Sequence, residues 1–465
     1  MAVSTDVDQS GNTSLKDNVL LGGFGLLASA MVSGTGHYRE LRHLASTTLP
    51  IRSEKSRELA KLDFRLDTQE AVANPWAQFD AIREATPIFW SEYQNAWMLT
   101  RHEDVRESLL DRRMSAERIS ILFEKLPKVV KEKYQPILHY FPLMIVTSDA
   151  PFHTRVRKLM LKGFTNQIIE TFRDLTQEAI DELLDDVEQR REVDFVQDFC
   201  FVLPAFVIMK LLGIPRELLE DFKRWSLALA MLAGDTNPSL KLMDDGLAAV
   251  LEMNEVHRKL IAERRAEPQA DFLTALVHAV DEGDNLSEDE LLSACMLIMA
   301  AGHETTTNML GNGLYELITH PDQEEYFRNH PEQAKQMVEE LVRFNGVIGS
   351  MTRVASEDFE WHGKHIKKGD LVHQLIHAAN RDPRVYENPD ELDLTRKNDY
   401  PLSFGPGIHF CLGNQLARME LELAFNSIYR RFSKIEILDE KMDWNSSIAL
   451  RGLRSFNVRF HPKLK

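Results

Sequence analysis

Ser287 and Glu290 form a capping-box pattern and His320-Pro321 marks a stop, so one uninterrupted helix is predicted between them. At about 33 residues it would run roughly 50 Å, since each residue adds 1.5 Å. A rod of that length must cross most of a globular protein, and every other element has to be arranged around it. Its apolar half is broken by Ala301-Gly302-His303-Glu304-Thr305-Thr306, an acid and two alcohols where core residues are expected. Glycine costs about 1 kcal/mol relative to alanine mid-helix, and threonine loses rotamer freedom there. Two readings stand at this point: a kink whose hydroxyls bond back to carbonyls, or a functional insertion in a structural rod.

The rest of the chain is mainly helical with a little β structure. Segments 166–190, 216–233 and 240–265 carry apolar residues at three- and four-residue spacing, with charged residues on their other faces. Pro87 to Trp90 and Ala96 to Thr100 read as a hairpin around a polar turn. Further β character falls at Phe359 to Trp361 and Leu371 to Ile376, joined through Gly363 and Gly369, before a helix from Leu412 to about Phe432. With no internal repeat and no long linker, residues 61–465 read as a single large domain. Residues 1–60 read as an extension, partly disordered or weakly associated with a membrane. Their apolar run from Val19 to Val32 is shorter than the about 20 residues that a spanning helix needs.

A formal charge of −17 disfavours binding to nucleic acid. Three cysteines, Cys200, Cys295 and Cys411, lie far apart, which argues against a disulfide framework and for a reducing, cytoplasmic setting. There is no CxxC pair for zinc, and no GxGxxG run or P-loop for a nucleotide cofactor.

The most specific stretch is Phe404-Gly405-Pro406-Gly407-Ile408-His409-Phe410-Cys411-Leu412-Gly413, followed by the last long helix. A lone cysteine is more often a small core residue than a ligand. A proline, glycines and a histidine packed against it make a rigid loop that a core cysteine does not require. At a helix start, exposed N–H groups and the helix dipole are expected to lower the thiol pKa. Gly407 and Gly413 would let the backbone turn tightly and approach a flat ligand.

Phe404, Gly407, His409, Cys411 and Gly413, continued by Leu416-Ala417-Arg418-Met419-Glu420, resemble the cysteine-ligand signature of the cytochrome P450 family. The resemblance runs from about Trp76 to the C-terminus. It implies the P450 fold, mainly α with small β-sheets, and haem b (iron protoporphyrin IX) as cofactor. By the same resemblance Cys411 is the iron ligand, Phe404 shields the sulfur and His409 reaches a haem propionate. A thiolate trans to dioxygen pushes electron density onto the iron and favours O–O cleavage. The interrupted helix resembles the family's distal helix, in which the small residue and Gly302 open a groove and the pair Glu304–Thr305 delivers protons. His303 falls on another face and reads as structural. Leu297, Ala300 and Ala301 lie on the side of Thr305 and, with Val347 and Ile348, are the expected substrate walls.

His153 and Arg157 lie about 40° apart on one helix face, and Arg155, Lys158 and Lys162 on another, from the 100° per residue of a helix. The first face resembles the family's propionate-binding pair, to which Arg353 adds a third cation. The second face reads as a docking surface for an acidic electron donor, or as plain solvated charge. Glu340 and Arg343, three apart, match the family's buried Glu-x-x-Arg. A later arginine usually joins that pair, but Glu391 stands where it is expected, which leaves the third partner open.

The expected activity is insertion of one atom of dioxygen into a lipophilic small molecule. Electrons would come from a ferredoxin and ferredoxin reductase or an equivalent donor. The alternatives are a haem-thiolate peroxygenase or isomerase, which has no need of Glu304–Thr305, and a non-catalytic haem sensor or carrier.

Overall fold

The structure, a computed structural model, describes residues 68–464 except 120–125, 165, 235–237, 270, 282–285, 398–400 and 446. The expected extension over residues 1–60 lies outside the described residues. The longer helices are α1 (Trp76–Ala85), α2 (His102–Leu110), α3 (Phe152–Met160), α4 (Asn166–Arg190), α5 (Val202–Leu212), α6 (Leu219–Gly234), α7 (Leu240–Ala266), α8 (Phe272–Asp281), α9 (Glu288–Thr319), α10 (Pro321–Asn329), α11 (Ala334–Asn345) and α12 (Asn414–Arg431).

The central rod is α9, and it starts where the capping box places it. Glu290 N donates to Ser287 Oγ at 3.2 Å, and Ser287 N donates back to Glu290 Oε2 at 2.8 Å. It is apolar nearly all round because it is packed nearly all round. Leu291, Met296, Ile298 and Met299 enter one hydrophobic core with α5, α6, α7 and α8. Met309, Leu310, Leu314 and Leu317 enter a second with α4, α11 and α12. Residues 301–308, the polar interruption, fall between the two.

The β structure is small and is drawn from both sides of this rod in sequence. A five-stranded sheet has the order β1-β2-β8-β5-β3, from β1 (Ile88–Ser91), β2 (Ala96–Leu99), β8 (Leu371–Leu375), β5 (Ser350–Ala355) and β3 (Met114–Ser115). The expected hairpin β1–β2 is antiparallel, with Trp90 opposite Trp97, and β2 then runs parallel to β8. A three-stranded sheet joins β4 (Glu192–Asp194), β10 (Asn457–Pro462) and β9 (Phe432–Ile437), and β6 (Phe359–Trp361) pairs with β7 (Lys364–Ile366). Strands β4, β5, β9 and β10 have no clear alternating signal of their own and are set by their partners. Among the described residues no helix is long and apolar enough to cross a membrane.

Glu420, inside α12, is 2% exposed and its Oε2 has no hydrogen-bond partner among the described residues. Burial alone pushes its carboxyl up to about 8. Between the ordinary glutamate pKa of about 4.3 and that value, the unfolded chain is ionised while the folded one keeps its proton, so stability falls as pH rises through this window. Glu420→Gln is expected to leave the urea midpoint nearly unchanged at about pH 5 and to raise it at about pH 8. Equal shifts at both values would show that the carboxyl is already ionised in the fold.

Candidate functional site

The loop that carries Cys411 contains two short 3-10 turns, Leu402–Phe404 and Gly407–His409, and closes where Cys411 N donates to Phe404 O at 2.8 Å. Gly407 has φ +69°, and a Cβ there would lie 2.6 Å from Leu110 Cδ2, so conformation and space both call for glycine. Asn414 Nδ2 donates to Cys411 O at 2.8 Å. Arg418, one turn into α12, lies 4.1 Å from the centre of the Phe404 ring. Its guanidinium donates to Asn414 Oδ1 at 2.6 Å and to Glu339 Oε2 of α11 at 3.1 Å, which fixes both the ring and the loop.

Two expectations about the thiol are corrected. The helix begins at Asn414, not Leu412, so Cys411 precedes the N-cap Gly413 by two residues. Burial pushes the Cys411 thiol up, against the opposite pull of the Gly413 N–H, Arg418 and Arg157. Desolvation outweighs the helix start here, so ionising the sulfur takes a cation bonded to it.

The surroundings fit a haem. Among the described residues no group of three or more His, Cys, Asp and Glu could hold a metal ion. Gly413 has an ordinary φ of −86°, and a Cβ there would meet nothing within 4 Å, so no side chain crowds the backbone two residues after the cysteine.

Around the same loop lies a set of buried and half-buried basic side chains. The His153 and His409 rings are 4.3 Å apart, and neither nitrogen of His153 has a partner among the described residues. Arg157 donates to Phe410 O at 2.5 Å. Arg353, from β5, is 6% exposed and donates to Thr352 O at 3.1 Å. Burial first, then mutual repulsion, pushes His153 down to about 4 and His409 to about 3, and burial pushes Arg353 to about 10. Asp149 opposes this field, but its oxygens already accept from Ser115 Oγ at 2.5 Å and Ala116 N at 3.0 Å. Burying an unpaired charge such as that of Arg353 costs several kcal/mol, so Arg353 and Arg157, with the neutral rings of His153 and His409 as donors beside them, fit anions, and the two propionates of haem are anions of the right kind.

On α9, the residues between Ser293 and Leu314 that are not buried are Leu297, Ala301, Gly302 and Thr305. Leu297, Ala301 and Thr305 are four apart and share one face. Thr305 Oγ1 donates to Ala301 O at 2.6 Å. Ala300, at 7% exposure, borders this face but packs into the first core. Val347 is buried in the second core, and Ile348 is half-buried and bridges to Leu450. At Gly302 a Cβ would lie 2.7 Å from Ile208 Cδ1, so the glycine admits α5.

Glu304 is 8% exposed, and burial raises its carboxyl, opposed by the Asn308 amide, which donates to Oε1 at 3.0 Å. Asn308 was not singled out from sequence, although an amide four residues after a buried acid is a readable pair. His303 is fully buried. Its Nε2 must donate to Phe201 O at 2.9 Å, so Nδ1 accepts from Ser226 Oγ at 2.6 Å. The expected structural role on another face describes it well.

Glu340 and Arg343 are both fully buried and joined by two bonds of 2.8 Å. The third partner left open by sequence is Arg396, whose Nε donates to Glu340 Oε1 at 3.1 Å. It lies five residues beyond Glu391, which contributes only its backbone carbonyl, to Arg343 at 3.3 Å. Arg155 leaves the expected docking face, because it makes a two-bond ion pair with Glu290, at 2.5 and 3.2 Å, beside the cap of α9.

Comparison with known proteins agrees with this geometry. The family model described as Cytochrome P450 matches residues 86–451. The polyketide biosynthesis cytochrome P450 PksS of Bacillus subtilis (strain 168) is 34% identical over 409 residues, covering 86% of this chain and 99% of that protein. The structure of P450BioI in complex with a hexadec-9Z-enoic acid-ligated acyl carrier protein superposes with a TM-score of 0.78 at 32% identity, covering 84% of this chain and 99% of the other. The myxobacterial CYP267B1 in complex with myristic acid gives a TM-score of 0.77 at 32% identity, covering 85% and 98%. A set of basic side chains around a single loop cysteine, and relatives aligned along nearly their whole length, lead to one conclusion: the chain belongs to the cytochrome P450 family of haem b monooxygenases.

Proposed function

We propose that this chain inserts one oxygen atom, by hydroxylation or epoxidation, into a long, mostly apolar acyl-type molecule, with electrons from a ferredoxin-class protein in the cytoplasm. Support for the substrate class comes from the apolar residue at Leu297 beside Ala301, and from relatives in complex with fatty acyl ligands. Haem, when bound, supplies the site for dioxygen and the redox chemistry of the reaction. Cys411 Sγ would ligate the iron, and His153, Arg157, Arg353 and His409 would hold the propionates. Leu297, Ala300, Ala301, Val347 and Ile348 wall the substrate and keep bulk water from it.

The observation that carries the monooxygenase reading is the pairing of a buried acid with an accessible alcohol at the break between the two cores. Burial keeps the Glu304 proton on the carboxyl further toward neutral pH than in water, and Asn308 holds its Oε1. Thr305, next along the chain, turns its hydroxyl away from Ala301 O to pass that proton on at Oγ1.

Thr305→Ala is expected to cut product formed per NADH consumed by about a hundredfold while electron flow continues, since general acid catalysis contributes roughly 10²–10⁴. The assay uses a ferredoxin, its reductase and dodecanoate, with hydrogen peroxide release measured alongside product. Unchanged coupling in the variant, together with turnover driven by peroxide alone, would assign the chain to the peroxygenases instead.

A further inference from the structure

Arg118 follows β3 and projects one arm to the end of α6, where its guanidinium donates to Ala233 O at 2.9 Å. That carbonyl belongs to the last turn of the helix, where the dipole favours a cation. It satisfies one of the five N–H donors of a guanidinium. No carboxylate among the described residues forms an ion pair with Arg118, and the side chain is half-buried, so part of it stays within reach of another molecule. Burial, then the charge of Arg353, pushes its pKa down to about 10.

Arg118 lies three residues beyond Ser115 of β3, which pairs with β5, and β5 pairs in turn with β8, the strand of His373. Thr352 and His373 stand opposite each other across β5 and β8 and share one face of the sheet. Thr352 Oγ1 and His373 Nδ1 are 2.9 Å apart, while His373 Nε2 is buried without a partner among the described residues. Burial, then the positive charge of Arg118, holds this ring neutral, down to about 4. Among the described residues, a guanidinium with no carboxylate partner and an unpartnered ring nitrogen thus stand on two segments joined through β5, 114–119 and β8.

We propose that Arg118, with His373 beside it, is a carboxylate-binding site that fixes the acid end of the substrate or, as the other source of the same chemistry, a propionate of the cofactor. The substrate is the favoured source. Arg157 and Arg353, with His153 and His409, already provide a cation and a neutral donor for each of two propionates. Arg118 also reaches α6, outside that set. A guanidinium matches a carboxylate with two parallel bonds, so an acid bound here is oriented as well as held. The inference rests on the acyl-substrate reading above and names the group by which such a substrate is gripped.

The test uses haem-loaded wild type, Arg118→Gln and Arg118→Lys, with dodecanoate and dodecan-1-ol as probes. Binding is followed by spin shift and by calorimetry, and haem loss by transfer to apomyoglobin without substrate. If the substrate acid binds here, Arg118→Gln weakens dodecanoate by at least about tenfold, leaves dodecanol within about twofold and leaves haem loss unchanged, as expected for a lost charged hydrogen bond. If a propionate binds here, haem loss accelerates by at least about tenfold and both probes weaken alike. Either result supports a carboxylate site and names its source. No change in either measurement, or equal weakening of both probes at unchanged haem loss, overturns it.

Should Arg118→Gln not accumulate, Arg118→Lys decides the matter. It keeps the charge without the paired donors and is expected to weaken dodecanoate severalfold with dodecanol unaffected. The carbon monoxide difference spectrum of the wild type reports separately on the haem-thiolate reading. Calorimetric binding of dodecanoate stands or falls without it.

Discussion

Replacing Cys411 with serine is expected to abolish the strongly red-shifted Soret band of the reduced, carbon monoxide-bound protein and to remove all measurable monooxygenation. The loop itself should survive the change. Its closing bond uses the Cys411 backbone amide, and its other tie uses the Cys411 carbonyl, so neither needs sulfur. What is lost is the anionic ligand. A thiol already pushed up by burial can still ionise against bound iron, whereas a serine hydroxyl in the same surroundings cannot, and electron donation to the iron goes with it. Haem content measured by the pyridine haemochrome method should fall far less than activity, because the basic set around His153 and Arg353 is untouched. A serine variant that kept the red-shifted band would remove Cys411 from the iron.

Breaking the buried ion pair behind the cysteine loop should have the second largest effect. Glu340→Ala leaves the guanidinium of Arg343 without its anion at full burial, whereas Arg343→Ala leaves the carboxylate with Arg396 as its remaining cation. Removing one partner of such a pair costs about 3–5 kcal/mol. The arginine variant should be the worse of the two. Arg343 also donates to the carbonyls of Asn380 at 2.8 Å, Pro389 at 2.9 Å and Glu391 at 3.3 Å; the first two would be stranded, while Glu391 O keeps Arg396 at 3.4 Å. The double change Glu340→Leu/Arg343→Met should cost less than the sum of the single changes, since neither ion is then left alone. Urea unfolding of the four proteins measures this, and a loss of less than about 1 kcal/mol for Arg343→Ala would place the pair in solvent.

Legibility in the sequence followed the range of the forces involved. The rod α9 could be read because its cap is local: Ser287 and Glu290 satisfy each other within one turn. The cysteine loop could be read because glycine, proline and cysteine constrain a backbone wherever they occur. Strands β5 and β10 could not, because their neighbours lie far off in the chain and local propensity says little about a half-buried pleat. Arg118 and Asn308 were missed for a related reason. A single arginine or asparagine carries no signal until the fold shows what it is left facing. The thiol was misjudged in direction because a helix start is visible in sequence and the degree of burial is not.

The loop between Glu387 and Arg396 is gripped by its main chain. Arg396 donates to the carbonyls of Glu387 at 2.6 Å and Asn388 at 3.2 Å, while Arg343 takes those of Pro389 and Glu391. Peptide oxygens are the same whatever side chain they accompany, so substitutions along this stretch cost little as long as its course is kept.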